Sequence, residues 1–176
     1  MKKTLTTIML AAGLAIGAYA QGTVAFNNLN GSAIPVTYNG TPYDGVFTVE
    51  FWGGSSAGDL VLLGSTVGNF GGGIFYNADD IAIPGVPLGG TATLLINAWT
   101  GSFANYAAAL QSTDGTVLVG TSGIFTNPTG GTGAPPGPGA NLDNFTGIAL
   151  VPVPEPSMLA LAGLGAAGMS IFRRRK

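Results

Sequence analysis

Short runs in the middle of the chain alternate apolar and polar side chains, and Gly, Asn or Asp separates one run from the next. In "VFTVEFW" (46–52), Phe47, Val49 and Phe51 fall on one face, while Thr48 and Glu50 fall on a face that we expect to meet solvent. A period of two is typical of a half-buried β-strand. Similar runs predict about eight strands, at 23–29, 34–38, 46–52, 60–67, 73–76, 91–99, 116–122 and 145–151.

This pattern predicts an all-β fold, a β-sandwich or jelly roll of about eight strands. Asn30-Gly31 lies between the first two runs, and Asn-Gly between apolar runs favours a hairpin. The run 91–99, "TATLLINAW", is the longest apolar candidate, so we expect it to lie centrally in its sheet.

One segment has a helical rather than a strand period. Within 102–113 the apolar stripe has the spacing i, i+3, i+4 and i+7 expected of a helix and consists of Phe103, Tyr106, Ala107 and Leu110. Ser102 is the predicted N-cap and Gly115 the predicted stop signal. We expect this short helix to lie across one open end or edge of the sandwich, with its aromatic side chains packed in the core.

Residues 127–141, "NPTGGTGAPPGPGAN", are almost entirely Pro, Gly and small polar residues. Such a segment buries too little apolar surface to fold alone. It is predicted to be a long flexible loop before the last strand. The alternative is a linker, with the domain ending near Phe125.

The first 20 residues have the three parts of a secretory signal peptide. Lys2 and Lys3 form a basic start, an uncharged and mostly apolar run follows, and Ala18-Tyr19-Ala20 has the small-x-small form of a cleavage site. Cleavage by signal peptidase would make Gln21 the mature N-terminus. The predicted exported domain is then 21–151.

The last 25 residues (152–176) combine an extended motif, an apolar run and a basic tail. The uncharged run 157–172 is followed by Arg173, Arg174, Arg175 and Lys176, whereas no Lys or Arg occurs between Thr4 and Phe172. A 16-residue helix spans about 24 Å, less than the roughly 30 Å of a hydrocarbon core. Basic residues stay on the cytoplasmic side of a membrane. The pattern predicts a marginal, temporary transmembrane anchor with a stop-transfer tail, or alternatively a permanent tail anchor.

These features resemble the PEP-CTERM sorting signal of Gram-negative bacteria, which has the same three parts in the same order. They are the motif Pro154-Glu155-Pro156, the apolar helix 157–172 and the Arg tail. The resemblance implies that exosortase, a membrane cysteine peptidase, processes the tail at or near the Pro-Glu-Pro motif. It also implies a transient stay in the inner membrane, followed by transfer to the outer surface or the extracellular matrix.

The composition of the body, residues 21–153, excludes several kinds of functional site. Residues 21–153 hold seven acids and no base, and the chain has no His and no Cys. Nucleic acid is excluded as a partner because its binding depends on Lys and Arg. A Ser-His triad, a Cys nucleophile and an ordinary zinc site all lack their residues. We therefore predict a non-enzymatic structural or adhesive role, with no cofactor and no metal.

Two functional alternatives and one weak metal candidate remain. A carbohydrate-binding module of the exopolysaccharide matrix would use exposed aromatic platforms, for which Trp52, Tyr76 and Trp99 are the candidates. A glycoside hydrolase, which is less favoured, needs two carboxylates facing each other across a cleft. Asp79-Asp80 with Asn77 have oxygen donors suited to calcium, but no EF-hand pattern is present, which favours a solvated loop.

Overall fold

The computed structural model describes residues 21–29, 34–68, 70–133 and 137–153. Within them the chain forms nine β-strands and one short helix, which confirms the mostly-β prediction. The strands are β1 Gln21–Asn27, β2 Val36–Tyr38, β3 Thr41–Pro42, β4 Phe47–Gly54, β5 Val61–Gly68, β6 Tyr76–Pro87, β7 Thr91–Trp99, β8 Leu118–Pro128 and β9 Ile148–Pro152. The helix, α1, spans Tyr106–Leu110.

Seven strands form one curled sheet in the order β3-β2-β9-β8-β7-β4-β5, and β1 and β6 form a separate antiparallel ribbon. β7 lies between β4 and β8, so its predicted central position is confirmed. The 12-residue strand β6 was missed by sequence reasoning except for its first residue, Tyr76. Its "NADDIAIPGVP" contains two Asp and two Pro residues, which are depleted in strands.

The core lies between the large sheet and the ribbon. Phe26 of β1 stacks against Phe51 of β4 with ring centroids 4.4 Å apart. Phe51 in turn contacts Phe75, whose ring meets Phe145 edge-on at 5.9 Å. Phe47, Val49 and Phe51 are all buried on the core face, as their alternation predicts. The ribbon therefore covers the inner face of the sheet and leaves the outer face for other elements.

The predicted hairpin at Asn30-Gly31 is wrong. β1 pairs with β6, and β2 pairs in parallel with β9 and antiparallel with β3. The tight turn is instead at Asn39-Gly40, where φ is 51° and 78°, the positive values that Asn and Gly tolerate best. The first strand was predicted correctly, but its partner β6 lies about 50 to 65 residues later in the chain.

Two predicted loop and helix boundaries also change. Helix α1 is capped by Asn105, whose side chain accepts from the N–H of Ala108, and not by Ser102. Leu110 of the predicted stripe is exposed, and Ala109 is the buried helical residue. The Pro/Gly segment begins inside β8 and is pinned where it is described, since Ala25 N donates to Ala140 O at 2.9 Å.

The signal segment 1–20, the motif Pro154-Glu155-Pro156, the apolar run 157–172 and the tail Arg173–Lys176 all lie outside the described residues. Across the ranges that the structure does describe, no helix has the length and apolar character needed to cross a membrane.

Candidate functional site

The outer face of the large sheet carries a row of apolar side chains that crosses four adjacent strands. Leu62 of β5 is paired with Trp52 of β4, Trp52 with Leu95 of β7, and Leu95 with Ile124 of β8. Leu62 and Ile124 are 53% and 57% exposed, while Trp52 and Leu95 are half-buried. We call these four residues the outer row. Because strands are about 4.8 Å apart, the outer row spans roughly 14 Å.

Trp52 is held in place by the neighbouring Glu50. Its indole Nε1 donates to Glu50 Oε1 at 3.0 Å, and Asn97 Nδ2 donates to the same oxygen at 3.1 Å. The other oxygen, Oε2, accepts from the backbone N–H of Tyr106 at 3.3 Å. The orientation of Trp52 is therefore fixed by a carboxylate that is itself tied to β7 and to α1.

Glu50 is only 5% exposed, so the prediction that it faces solvent is wrong. Alternation placed it on the correct face of β4, but the excursion between β7 and β8 covers that part of the face. Burial, followed by the charge of Glu50, raises the pKa of Tyr106 above 10.0. The hydrogen bonds of Glu50 therefore support α1, and both oxygens of its carboxylate already have donors.

Trp99 is the second tryptophan, and it is 2% exposed. It packs with Ala109, Val117, Val119 and Val153 in a small cluster on the outer face, against which Phe103 and Tyr106 also pack. The prediction that Phe103 and Tyr106 are packed is thus correct, but Phe103 precedes α1 and is not part of the helix. Because Trp99 is buried, it cannot serve as a sugar platform. We call this group the outer cluster.

Tyr76 is 43% exposed, but it lies on the ribbon and not on the outer face. It lines a cleft of about 390 Å³ together with Leu29, Phe70 and Ile74. The three aromatic residues predicted as platforms therefore do not share a surface. Of the three, Trp52 is the one in a continuous apolar row, and the cross-strand pairing that creates the row could not be read from local sequence.

The candidate calcium ligands lie on a strand and not in a loop. Asp79 and Asp80 belong to β6, and Asp80 Oδ2 accepts from Gly139 N at 2.6 Å, which fastens the Pro/Gly segment to the ribbon. Asp79 N donates to Asn77 Oδ1 at 3.3 Å. In the described part of the chain, no three acidic side chains are grouped closely enough to hold a metal ion.

The last described residues run directly into the predicted sorting segment. β9 ends at Pro152, and the next residue, Val153, is 5% exposed within the outer cluster. Its N–H donates to Val117 O at 3.0 Å. Gln21, the predicted mature N-terminus, is the first residue of β1 and is paired with Pro87.

Comparison with known proteins identifies the carboxyl-terminal segment. Residues 152–176 match the family model described as the PEP-CTERM protein-sorting motif. The motif implies processing by exosortase and supports exosortase-dependent sorting of an exported protein. No curated protein and no solved structure matches the chain.

Proposed function

We propose that this chain is an exported protein whose body is a non-enzymatic structural or adhesive component of the cell surface or extracellular matrix. The sorting motif at 152–176, which begins at the last residue of the last strand, carries this proposal. We also class the body as an unequal β-sandwich, because the ribbon and the large sheet enclose one shared core.

Delivery begins with a signal peptide that signal peptidase removes after Ala20. Gln21 already pairs with Pro87 at the start of β1, so cleavage there leaves the ribbon complete. The uncharged run 157–172 then holds the protein in the inner membrane, with the basic residues 173–176 on the cytoplasmic side. Exosortase acts at the Pro-Glu-Pro motif and releases the body to the outer surface.

The environments of the acids support the absence of catalysis. Both oxygens of Glu50 are occupied by donors from Trp52, Asn97 and Tyr106. The hydroxyls of Ser56 and Ser55 lower the pKa of Asp59. A glycoside hydrolase needs a carboxylate held protonated near neutral pH beside an ionised one, whereas the lowered pKa of Asp59 favours its ionised form.

Cell fractionation with intact-mass measurement tests the proposal. We expect the wild-type protein outside the cytoplasm, starting at Gln21 and shortened at its carboxyl end. Replacing Pro154, Glu155 and Pro156 with Ala should retain the uncut protein in the membrane fraction. Replacing the exposed Asp143 with Ala is the matched control and should leave sorting unchanged. A wild-type product that keeps both Met1 and Lys176 in the cytosol would overturn the proposal.

A second candidate function, carbohydrate binding, is favoured by the outer row. Trp52 lies in it as a half-exposed aromatic ring fixed by Glu50, and fixed aromatic rings bind at low entropic cost. The row contains no charged side chain, which suits a neutral polysaccharide and not an acidic one.

Affinity electrophoresis in gels containing a neutral β-glucan tests this candidate. Trp52→Ala should abolish the retardation that the glucan causes, while Tyr76→Ala, which removes an exposed ring from the ribbon, should not. Wild-type protein that migrates equally with and without glucan would remove carbohydrate binding and leave the sorting proposal intact.

A further inference from the structure

Three strand edges of the body are protected against pairing with another chain. Natural proteins block such edges with very short strands, charges, Pro residues or a covering segment. At one end of the large sheet, β3 is two residues long and ends in Pro42. In the ribbon, the Pro/Gly segment covers the second edge of β1, where Ala25 N donates to Ala140 O at 2.9 Å. The other ribbon strand, β6, carries two charges and two prolines that oppose pairing: Asp79, Asp80, Pro84 and Pro87.

β5 is the exception among the described strands. It is the terminal strand at the other end of the large sheet, and its eight residues, VLLGSTVG, include no Pro and no charge. Val61, Leu62 and Val67 are 45%, 53% and 46% exposed. Thr66 Oγ1 donates to Tyr76 O at 3.1 Å, which ties β5 to the ribbon through a side chain, but the two strands share no backbone ladder. β5 therefore presents a long, neutral and partly apolar edge that can accept another strand.

The charge of the body favours a second copy of this chain at the β5 edge. Residues 21–153 hold seven acids and no base, so two copies repel each other wherever their acids meet. Self-pairing of β6 would bring Asp79 and Asp80 of both copies together, and like charges on paired strands are destabilising. β5 has no charged side chain, so two β5 edges pair without this cost.

The two ends of β5 are also complementary in shape. Leu62 belongs to the outer row, and Val67, which is paired with Thr48, lies on the same face. Val67 lines a cleft of about 420 Å³ together with Val46, Thr48 and Phe103. In an antiparallel pair of identical strands, the Leu62 end of each copy lies beside the Val67 end of the other. Each exposed Leu62 side chain therefore has an apolar cleft on the second copy to enter.

We propose that two copies of the body associate by antiparallel pairing of their β5 edges, so that the two large sheets form one continuous sheet. The two-fold axis of such a pair is perpendicular to the sheet, so both outer rows lie on the same face and meet at their Leu62 ends. The dimer presents both Trp52 rings on one surface. This association goes beyond the sorting proposal because it requires only the folded body, and it gives a surface or matrix protein a way to self-associate.

Sedimentation equilibrium of the full-length protein in detergent tests the association. We expect a wild-type dimer. Leu62→Lys places a charge on the edge strand and should raise the Kd at least about tenfold, since two-fold symmetry introduces the change twice. Ile124→Lys is the matched control, because Ile124 is 57% exposed in the same outer row but lies on the interior strand β8, and it should leave the Kd unchanged.

Three results would overturn the inference. A monomeric wild type would leave the β5 edge to a strand of a different protein. A dimer that withstands Leu62→Lys would place the contact elsewhere in the chain. Dissociation by Ile124→Lys as well as by Leu62→Lys would show that the copies pack through their outer faces and not through their edges.

Thiol cross-linking locates the contact independently, because the chain has no Cys. Ser65 is exposed near the middle of β5, so it lies near the two-fold axis of the proposed pair. Oxidation of Ser65→Cys with copper phenanthroline should give a disulfide-linked dimer on a non-reducing gel. Thr41→Cys, at an exposed position of the opposite edge strand β3, is the control and should stay monomeric. Equal cross-linking of the two variants would refute the assignment to β5, and it would leave the sorting proposal intact.

Discussion

The buried carboxylate of Glu50 provides the sharpest test of how this body is stabilised. It receives three hydrogen bonds, from Trp52 Nε1, Asn97 Nδ2 and Tyr106 N, at 3.0, 3.1 and 3.3 Å. Bonds to a charged group contribute about 2 kcal/mol each, or about 6 kcal/mol together. Burying a carboxylate with no cation beside it offsets a few kcal/mol of this.

We therefore expect Glu50→Ala to lower the free energy of unfolding by about 3 kcal/mol, since it also leaves the buried amide of Asn97 without its acceptor. Glu50→Gln keeps one oxygen for Trp52 and Asn97 and removes the buried charge, but it presents an amide donor to the Tyr106 N–H. The expected loss for Gln is about 1 kcal/mol.

Urea unfolding followed by tryptophan fluorescence measures both changes, and the Tm of Glu50→Ala should fall by roughly 10 °C. Asp59→Ala removes an exposed acid from the loop after β4 and is the control, with an expected change within about 0.5 kcal/mol. If Glu50→Ala is as mild as Asp59→Ala, the three bonds do not stabilise the fold. If Gln is as damaging as Ala, the charge and not the acceptor geometry is what matters.

Three further predictions concern the polar core, the alkaline limit and close backbone packing. Asn127 is fully buried and makes three side-chain hydrogen bonds to the Pro/Gly segment and its neighbours, so Asn127→Ala should reduce the free energy of unfolding by about 3 kcal/mol in urea titrations. Burial and the charge of Glu50 raise the pKa of Tyr106, so the folded state favours its neutral form. The free energy of unfolding should therefore fall as the pH rises above 10.0, and it should fall less in Tyr106→Phe, which cannot ionise. Gly120→Ala would place Cβ 2.6 Å from Ala149 O and should cost about 2 kcal/mol, whereas Gly64→Ala, with no atom within 4 Å, should be neutral by the same assay.

Local patterns predicted the strands well where burial is one-sided. In β4 the alternation of Phe47, Val49 and Phe51 identified the core face because that strand has an apolar inner side and a mixed outer side. β7 was identified as central from its long apolar run. These features depend on neighbours in sequence, which is why the sequence alone suffices for them.

Strand partners were not predictable in the same way. β1 pairs with β6, and β2 pairs in parallel with β9, more than a hundred residues later. Asn30-Gly31 is a good turn signal by composition, but the partner of β1 is selected by the shared core around Phe26 and Phe51. Non-local packing decides such pairings, and the side-chain period of two does not encode it.

The candidate functional residues show the same difference between features set by local sequence and features set by strand pairing. The sorting motif was predictable because Pro154-Glu155-Pro156, the apolar run and the basic tail are contiguous, and the family match covers them. The outer row was not, because Leu62, Trp52, Leu95 and Ile124 come together only through the pairing of four strands. Glu50 was wrongly predicted to be exposed to solvent. Its side chain is covered by α1 through tertiary packing, which the local sequence pattern does not show.

Because no Lys, Arg or His occurs between residues 4 and 172, the acids of the body have no cationic side chain to pair with. In the structure, neutral hydrogen-bond donors take that role. Among the described residues, five of the seven acids of the body accept hydrogen bonds from N–H or O–H groups: Asp44, Glu50, Asp59, Asp80 and Asp114. Backbone and side-chain dipoles thus stabilise carboxylates that an ordinary domain would pair with cations. A body whose carboxylates are stabilised in this way needs no Lys or Arg of its own.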